Sequence, residues 1–214
     1  MKTQDALKLI PAFLLSAGAA FASETNRSVT AGADVRLRYD VTDHLPNAKR
    51  GEADDSNYAR IRLRPWIRTT YADYGIFLRL ADEFRDYSRP ESSSSKQRWP
   101  DVLFIDNLYF SANRLFDRLD LKFGRQDMAF GSRRILSDGT GGDGSRSAYF
   151  DALRFTWHAD AARTLDAFAL YQAKKDWMPT LGKEPHAYDT TGYGQDEFGV
   201  GPLLAGPCER RPWL

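Results

Sequence analysis

The sequence has one cysteine, Cys208, which excludes an internal disulfide framework. Its three histidines, His44, His158 and His186, are scattered without metal-ligand spacing, so no metal site is expected. No G-x-S-x-G nucleophile elbow occurs. Gly139-Thr140-Gly141-Gly142-Asp143-Gly144-Ser145 is glycine-rich, but no Lys-Ser or Lys-Thr follows, so it is no phosphate loop. It reads as an extracellular loop, and Asp138 and Asp143 read as turn residues rather than a cation site. Neither an enzyme nor a cofactor is expected. A net charge of +1 gives no reason to expect nucleic acid. No apolar run approaches the roughly 18 to 20 residues of a membrane helix.

What is present begins with an address. Lys2 and Lys8 precede the apolar run Leu9-Ile10-Pro11-Ala12-Phe13-Leu14-Leu15, and small residues end in Ala20-Phe21-Ala22. A basic start, a short apolar centre and an A-x-A site read as a secretory signal peptide over residues 1–22, with Sec-type export. An exported chain without a membrane helix can still cross the outer membrane with strands.

Alternation dominates the rest. In 57–87, Arg60, Arg62 and Arg64 interleave with Ala59, Ile61 and Leu63. A strand puts the arginines on one face and the apolar residues on the other; a helix would scatter them. Ala72-Asp73-Tyr74-Gly75 reads as a tight turn, and a second alternating run follows it. Pro65 predicts a bulge or strand end, because it removes a ladder donor. Alternation continued from Leu80 would point Asp82 and Asp86 at the apolar face. A bulge near Ala81, or exit from the membrane by Asp82, would resolve that conflict.

Further strands are predicted over 29–41, 101–111 (without clean alternation), 119–124, 149–158 and 165–171. The connections alternate long and short, as in outer-membrane barrels with short periplasmic turns and longer extracellular loops. Trp66, Tyr71, Tyr74, Tyr87, Trp99, Tyr149, Trp157 and Tyr171 lie near predicted strand ends and suit interfacial girdles. From about Gly192 the pattern fails, so 192–214 reads as an aberrant or disordered tail. The expected fold is all-β: an antiparallel transmembrane β-barrel, with 23–191 an incomplete N-terminal portion of about seven to eight strands.

The polar faces of these strands carry Asp34, Arg36, Arg38, Arg60, Arg62, Arg64, Arg79, Glu83, Arg85, Lys122 and Arg154. An arginine facing lipid costs about 2 to 4 kcal/mol at mid-depth. The cluster must therefore face a lumen. Two uses remain open: an interior filled by ion pairs, or a positive lining that passes anions.

Certain stretches resemble the alginate export outer-membrane proteins of Gram-negative bacteria. The resemblance covers about 57–157. Its most specific parts are Asp106-Asn107-Leu108-Tyr109, Gly124-Arg125-Gln126-Asp127, and Asp138-Gly139-Thr140 with Asp143-Gly144-Ser145-Arg146. It implies a barrel of about 18 strands whose arginine-rich constriction passes an anionic uronate polymer. It further implies that Arg60, Arg62, Arg79, Arg85 and Arg125 are lining residues, with Glu83 and Asp138 as acidic partners. The expected partners are then an anionic polysaccharide, outer-membrane lipid and periplasmic export proteins. Two alternatives stand beside this one: a diffusion porin for anions or sugars, and a soluble exported β-sandwich that binds polyanions.

Overall fold

The computed structural model describes residues 13–24, 26–42, 56–89, 102–130, 149–160, 162–182 and 195–205. Ten strands form: β1 (Phe13–Glu24), β2 (Arg27–Thr42), β3 (Ser56–Tyr71), β4 (Tyr74–Arg89), β5 (Val102–Leu115), β6 (Leu119–Gln126), β7 (Phe150–His158), β8 (Thr164–Gln172), β9 (Thr180–Gly182) and β10 (Glu197–Ala205). They make one antiparallel sheet in the order β1-β2-β3-β4-β5-β6-β7-β8-β10, with β9 on β5. Among the described residues no pairing joins β1 to β10, so the sheet is open. A β-sandwich needs two sheets packed face to face, and the described residues form one.

The seven strands expected from alternation are β2 to β8. The short connections 25–26, 72–73, 116–118 and 159–163 gather at one end of the sheet. The strand ends joined by the long connections, 43–55, 90–101, 127–149 and 173–196 in the sequence, lie at the other. The two-residue loop Ala72-Asp73 closes the β3–β4 hairpin, and Ala72 takes φ 48° there. Such loops match strand twist through positive φ.

Cross-strand register sorts every side chain onto one of two faces. Arg38 pairs with Arg60, Arg36 with Arg62 and Asp34 with Arg64. On β4 the same face carries Arg79 and Glu83. The opposite face is apolar and bare. Leu37, Ile67, Ile76, Phe110, Phe123, Phe155 and Val200 are all exposed there. Water-soluble proteins bury such a surface, whereas a membrane sheet turns it to lipid. At the short-turn end this face carries Tyr71, Tyr74 and Trp157; at the long-connection end it carries Tyr39, Tyr171 and Phe198. Trp66 does not join them. It lies opposite Arg79 on the polar face and stacks on Phe77. Tyr149 is buried, and Trp99 lies outside the described residues.

Pro65 produces no bulge and no strand end. The ladder to β2 runs through Ala33 opposite Pro65. Bridges to β4 stop at Leu63–Asp82 and resume at Trp66–Arg79 in the same register. A missing donor breaks one rung without moving the strand. The irregularity lies across the next pairing instead. Arg79 faces Asn107, but Leu80 faces Ile105, so Asp106 is an extra residue in β5. That explains why 101–111 showed no clean alternation. β4 keeps its phase as far as Tyr87, ends at Arg89, and leaves Asp82 opposite Leu63, buried at 2% exposure.

The tail expectation is also corrected over 197–205, where β10 pairs with β8 along its whole length. Phe198, Val200, Pro202 and Leu204 share the apolar face. Gly199 and Gly201 occupy the polar-face positions, where a Cβ would press on Leu170 and on Phe168. Small residues under two large ones hide the alternation from the sequence. The segment Phe13–Glu24, read as part of a signal peptide, lies against β2 as β1.

Candidate functional site

The polar face carries the site, and most of its charges meet within it. On β2 and β3, Arg38 Nε lies 2.7 Å from Asp40 and Arg60 Nε lies 3.4 Å from the same carboxylate. Arg60 also donates to the Tyr58 hydroxyl at 2.8 Å. Arg64 reaches Asp34 at 3.4 Å, and Arg62 reaches Glu83 at 3.9 Å. Arginines directly opposite each other would repel. The interleaved carboxylates offset that repulsion and leave the guanidinium groups in place.

The β5 bulge builds the centre of the site. A bulge turns a side chain that strict alternation would send to the other face. Here it lets consecutive residues Asp106 and Asn107 reach the same cluster. Arg79 donates through Nε to Asp106 at 2.5 Å and through Nη2 to Asp127 at 2.7 Å. Asn107 donates to Asp127 at 3.0 Å, and the Asp127 amide donates back to Asn107 Oδ1 at 3.2 Å. Asp106 is fully buried, and Arg64 approaches it at 4.0 Å. The sequence reading missed Asp106 and Asp127 as acidic partners. The broken alternation of 101–111 was the available signal.

Along β6 to β8 the same face holds Lys122 opposite Arg154, and Arg154 opposite Phe168. Asp166 accepts from Arg154 Nε at 2.8 Å and from Thr156 at 2.5 Å. Lys122 Nζ rests 4.5 Å over the Tyr109 ring. Met128 and Phe130, just past β6, fold onto this face against Phe150, Ala152, Leu170 and Phe168.

Arg125 is not part of this face. Register places it opposite Leu108 and Asp151, with the parity of Phe123. It is 1% exposed and closed by Asp151 at 3.1 Å, Asp176 at 2.8 Å and the Ile105 carbonyl at 2.9 Å. Its guanidinium stacks 3.7 Å over Tyr149. Burial pushes the Tyr149 phenol well up. Burial also works against charge on Asp176, but hydrogen bonds from Arg125 outweigh it and hold that carboxyl below the ordinary aspartate range. Trp177 Nε1 donates to Asp151 at 2.7 Å. This cluster therefore fastens the 173–179 segment to the wall, and β9 beyond it covers the edge of β5.

Register places Arg36, Arg38, Arg60, Arg62, Arg64, Arg79, Glu83, Lys122 and Arg154 on one face. Arg85 lies opposite Arg60 in register. Asp138 lies outside the described residues. Among the described residues no acidic, histidine or cysteine group has the arrangement of a metal site.

A family model described as alginate export matches residues 27–172, well over half of the chain. The match begins at the first residue of β2 and ends at the last of β8. No curated protein and no solved structure matches.

Proposed function

Since the chain belongs to the alginate export family, one of outer-membrane transport channels and not of enzymes, we propose that its cationic face lines the lumen of a channel that exports an anionic, alginate-like polyuronate. One observation carries the reading. Arginines of three adjacent strands share the face opposite a bare apolar surface, and Arg38, Arg60, Arg62, Arg64 and Arg79 are each tempered by a carboxylate. Lipid on the arginine side would cost about 2 to 4 kcal/mol per residue. Water and cargo belong there instead. A uronate polymer brings one carboxylate per sugar, and arginine grips carboxylates with two parallel hydrogen bonds. Asp34, Asp40, Glu83, Asp106 and Asp127 compete for the same guanidinium groups. Each step then holds the cargo moderately and lets it go, which passage requires. The lining residues in this reading are Arg36, Arg38, Arg60, Arg62, Arg64, Arg79, Glu83, Arg85, Lys122 and Arg154.

The same reading includes Sec-type export, cleavage after Ala22, placement in the outer membrane of a Gram-negative bacterium, contact with its lipid, and delivery of cargo by periplasmic export proteins. Reversal potentials in planar bilayers under a KCl gradient test the lining. Exchange of Arg60, Arg62 and Arg79 to Glu is expected to turn anion preference into cation preference. Unchanged anion selectivity would defeat the proposal. Polymer block of single-channel current separates an exporter from a diffusion porin.

A further inference from the structure

Two groups of cations on the polar face differ in their partners. Arg38, Arg60, Arg62, Arg64, Arg79 and Arg154 each have a carboxylate within reach. Arg68 and Lys122 have none among the described residues; they lie over aromatic rings instead. The Arg68 guanidinium stands 5.2 Å over Phe77 and the Lys122 ammonium 4.5 Å over Tyr109. The two rings stack on each other at 5.1 Å, and Trp66 stacks on Phe77 at 6.1 Å. Register puts Arg68 opposite Phe77, and Phe77 opposite Tyr109, so the row runs straight across three strands. Lys122 closes it from the fourth.

A ring differs from a carboxylate as a partner. It attracts a cation through its face but does not neutralise it. The charges of Arg68 and Lys122 are therefore not offset by a carboxylate in ion-pair contact, as those of the acid-paired arginines are. Lys122 is half-buried and lies in the field of two further cations, Arg154 and Arg68, and more weakly in that of the Asp127 carboxylate. Beside it opens a cleft of about 290 Å³ lined by Ser111, Asn113, Lys122, Arg154 and Thr156. Asp120 also borders this cleft, but it is engaged by His158 and by the Arg114 amide, both at 2.8 Å. The cleft thus presents hydroxyl and amide groups next to a cation that, among the described residues, has no carboxylate in ion-pair contact.

Position along the strands gives the row its meaning. Arg68 lies three residues before the end of β3 at the short turn, and Lys122 three residues after the start of β6 at the same end. Short turns face the periplasm in outer-membrane barrels. The acid-paired arginines Arg60, Arg62 and Arg64 lie further toward the long connections.

We propose that Arg68, Phe77, Tyr109 and Lys122 form a capture step for a sugar carboxylate at the periplasmic side of the wall, with the cleft beside Lys122 taking the hydroxyls of the same sugar. The idea rests on the polyuronate reading above and adds where the cargo is first held. An arriving carboxylate draws Arg68 and Lys122 off their rings. The chain then passes to arginines already tempered by acids, which bind it less tightly, so the gradient runs from capture to release.

Calorimetric titration of the full chain in detergent with an alginate hexasaccharide, and with neutral maltohexaose, tests this. Lys122→Met keeps the stem over Tyr109 and removes only the charge. It and Arg68→Gln are each expected to weaken hexauronate binding about tenfold. Lys122→Arg should stay within about twofold, and Arg60→Gln should cost less than Lys122→Met. Should Lys122→Met and Arg68→Gln bind like the unaltered chain while Arg60→Gln weakens, the capture step is wrong and the arginine lining stands. If the unaltered chain binds maltohexaose as well as the hexauronate, the polyuronate reading itself fails. Loss of binding in Lys122→Arg as well, with the fold intact by circular dichroism, also overturns the step, since charge alone then does not account for it.

Discussion

Arg125 shows what a buried guanidinium demands. Every donor finds an acceptor: Nε on Asp151, and the two amino nitrogens on Asp176, Asp151 and the Ile105 carbonyl. Removing one partner of such a group leaves a charge without its counter-ion in a dry place. Asp176 is the partner that comes from outside the strands, and its carboxyl is held below the ordinary range despite burial. A depressed carboxyl contributes stability above its unfolded pKa, and this is lost as pH falls through the folded value. The 173–179 segment should therefore stay fastened at neutral pH and loosen only in solution more acidic than ordinary aspartate titration. Asp176→Asn removes the charge-assisted bonds at any pH and should weaken the fastening by about 1.5 to 3 kcal/mol. Exposed Lys174 and Lys175 supply the readout, because trypsin should cut there faster in Asp176→Asn than in the unaltered chain. Equal cutting rates would mean that β9, not this cluster, holds the segment.

At the scale of elements, close backbone approach fixes where β6 can lie. Gly124 takes φ +121°, and a Cβ there would stand 2.4 Å from the Leu108 carbonyl oxygen. The obstacle is backbone and cannot swing aside. Gly124→Ala should force β6 away from β5 and lower stability by about 1 to 3 kcal/mol. The temperature at which the folded band is lost on a semi-native gel checks this; an unchanged temperature would show that the two strands separate without cost. Neighbouring elements also mark how far sequence reading reaches. β2, β3, β7 and β8 were legible because large apolar and charged residues alternate in them. Arg125 was legible too. The period of Leu119-Asp120-Leu121-Lys122-Phe123 carried two residues onward puts it with the apolar set, and the resemblance alone placed it in the lining. β5 was not legible, because one extra residue at Asp106 shifts the phase halfway. β10 was not, because glycines hold the polar-face places. Ion-pair partners were least legible of all. Arg79 meets Asp106 and Asp127 from 27 and 48 residues away, and only the bulge brings both within reach.

The whole sheet raises the question of its edges. Each edge strand carries a row of backbone groups that lipid cannot satisfy. β1 supplies the partner for β2 along Phe13 to Phe21, yet those residues also carry the marks of a signal peptide. Both cannot hold in a processed protein. Cleavage after Ala22 would leave Ser23 first and β2 at the edge, so something else must then pair with β2. Substituting Ala20 and Ala22 with Arg removes the small residues that a signal peptidase needs. Intact mass should show the unaltered chain starting at Ser23 and the variant keeping residues 1–22. Amide exchange then tells the two architectures apart. Alternate amides of β2 between Val29 and Leu37 point toward β1, while the others point toward β3. In the processed chain the first set should exchange faster than in the uncleaved variant, and the second set equally in both. Equal protection of both sets in the processed chain would mean that another strand takes the place of β1, as closure of a wall in lipid requires.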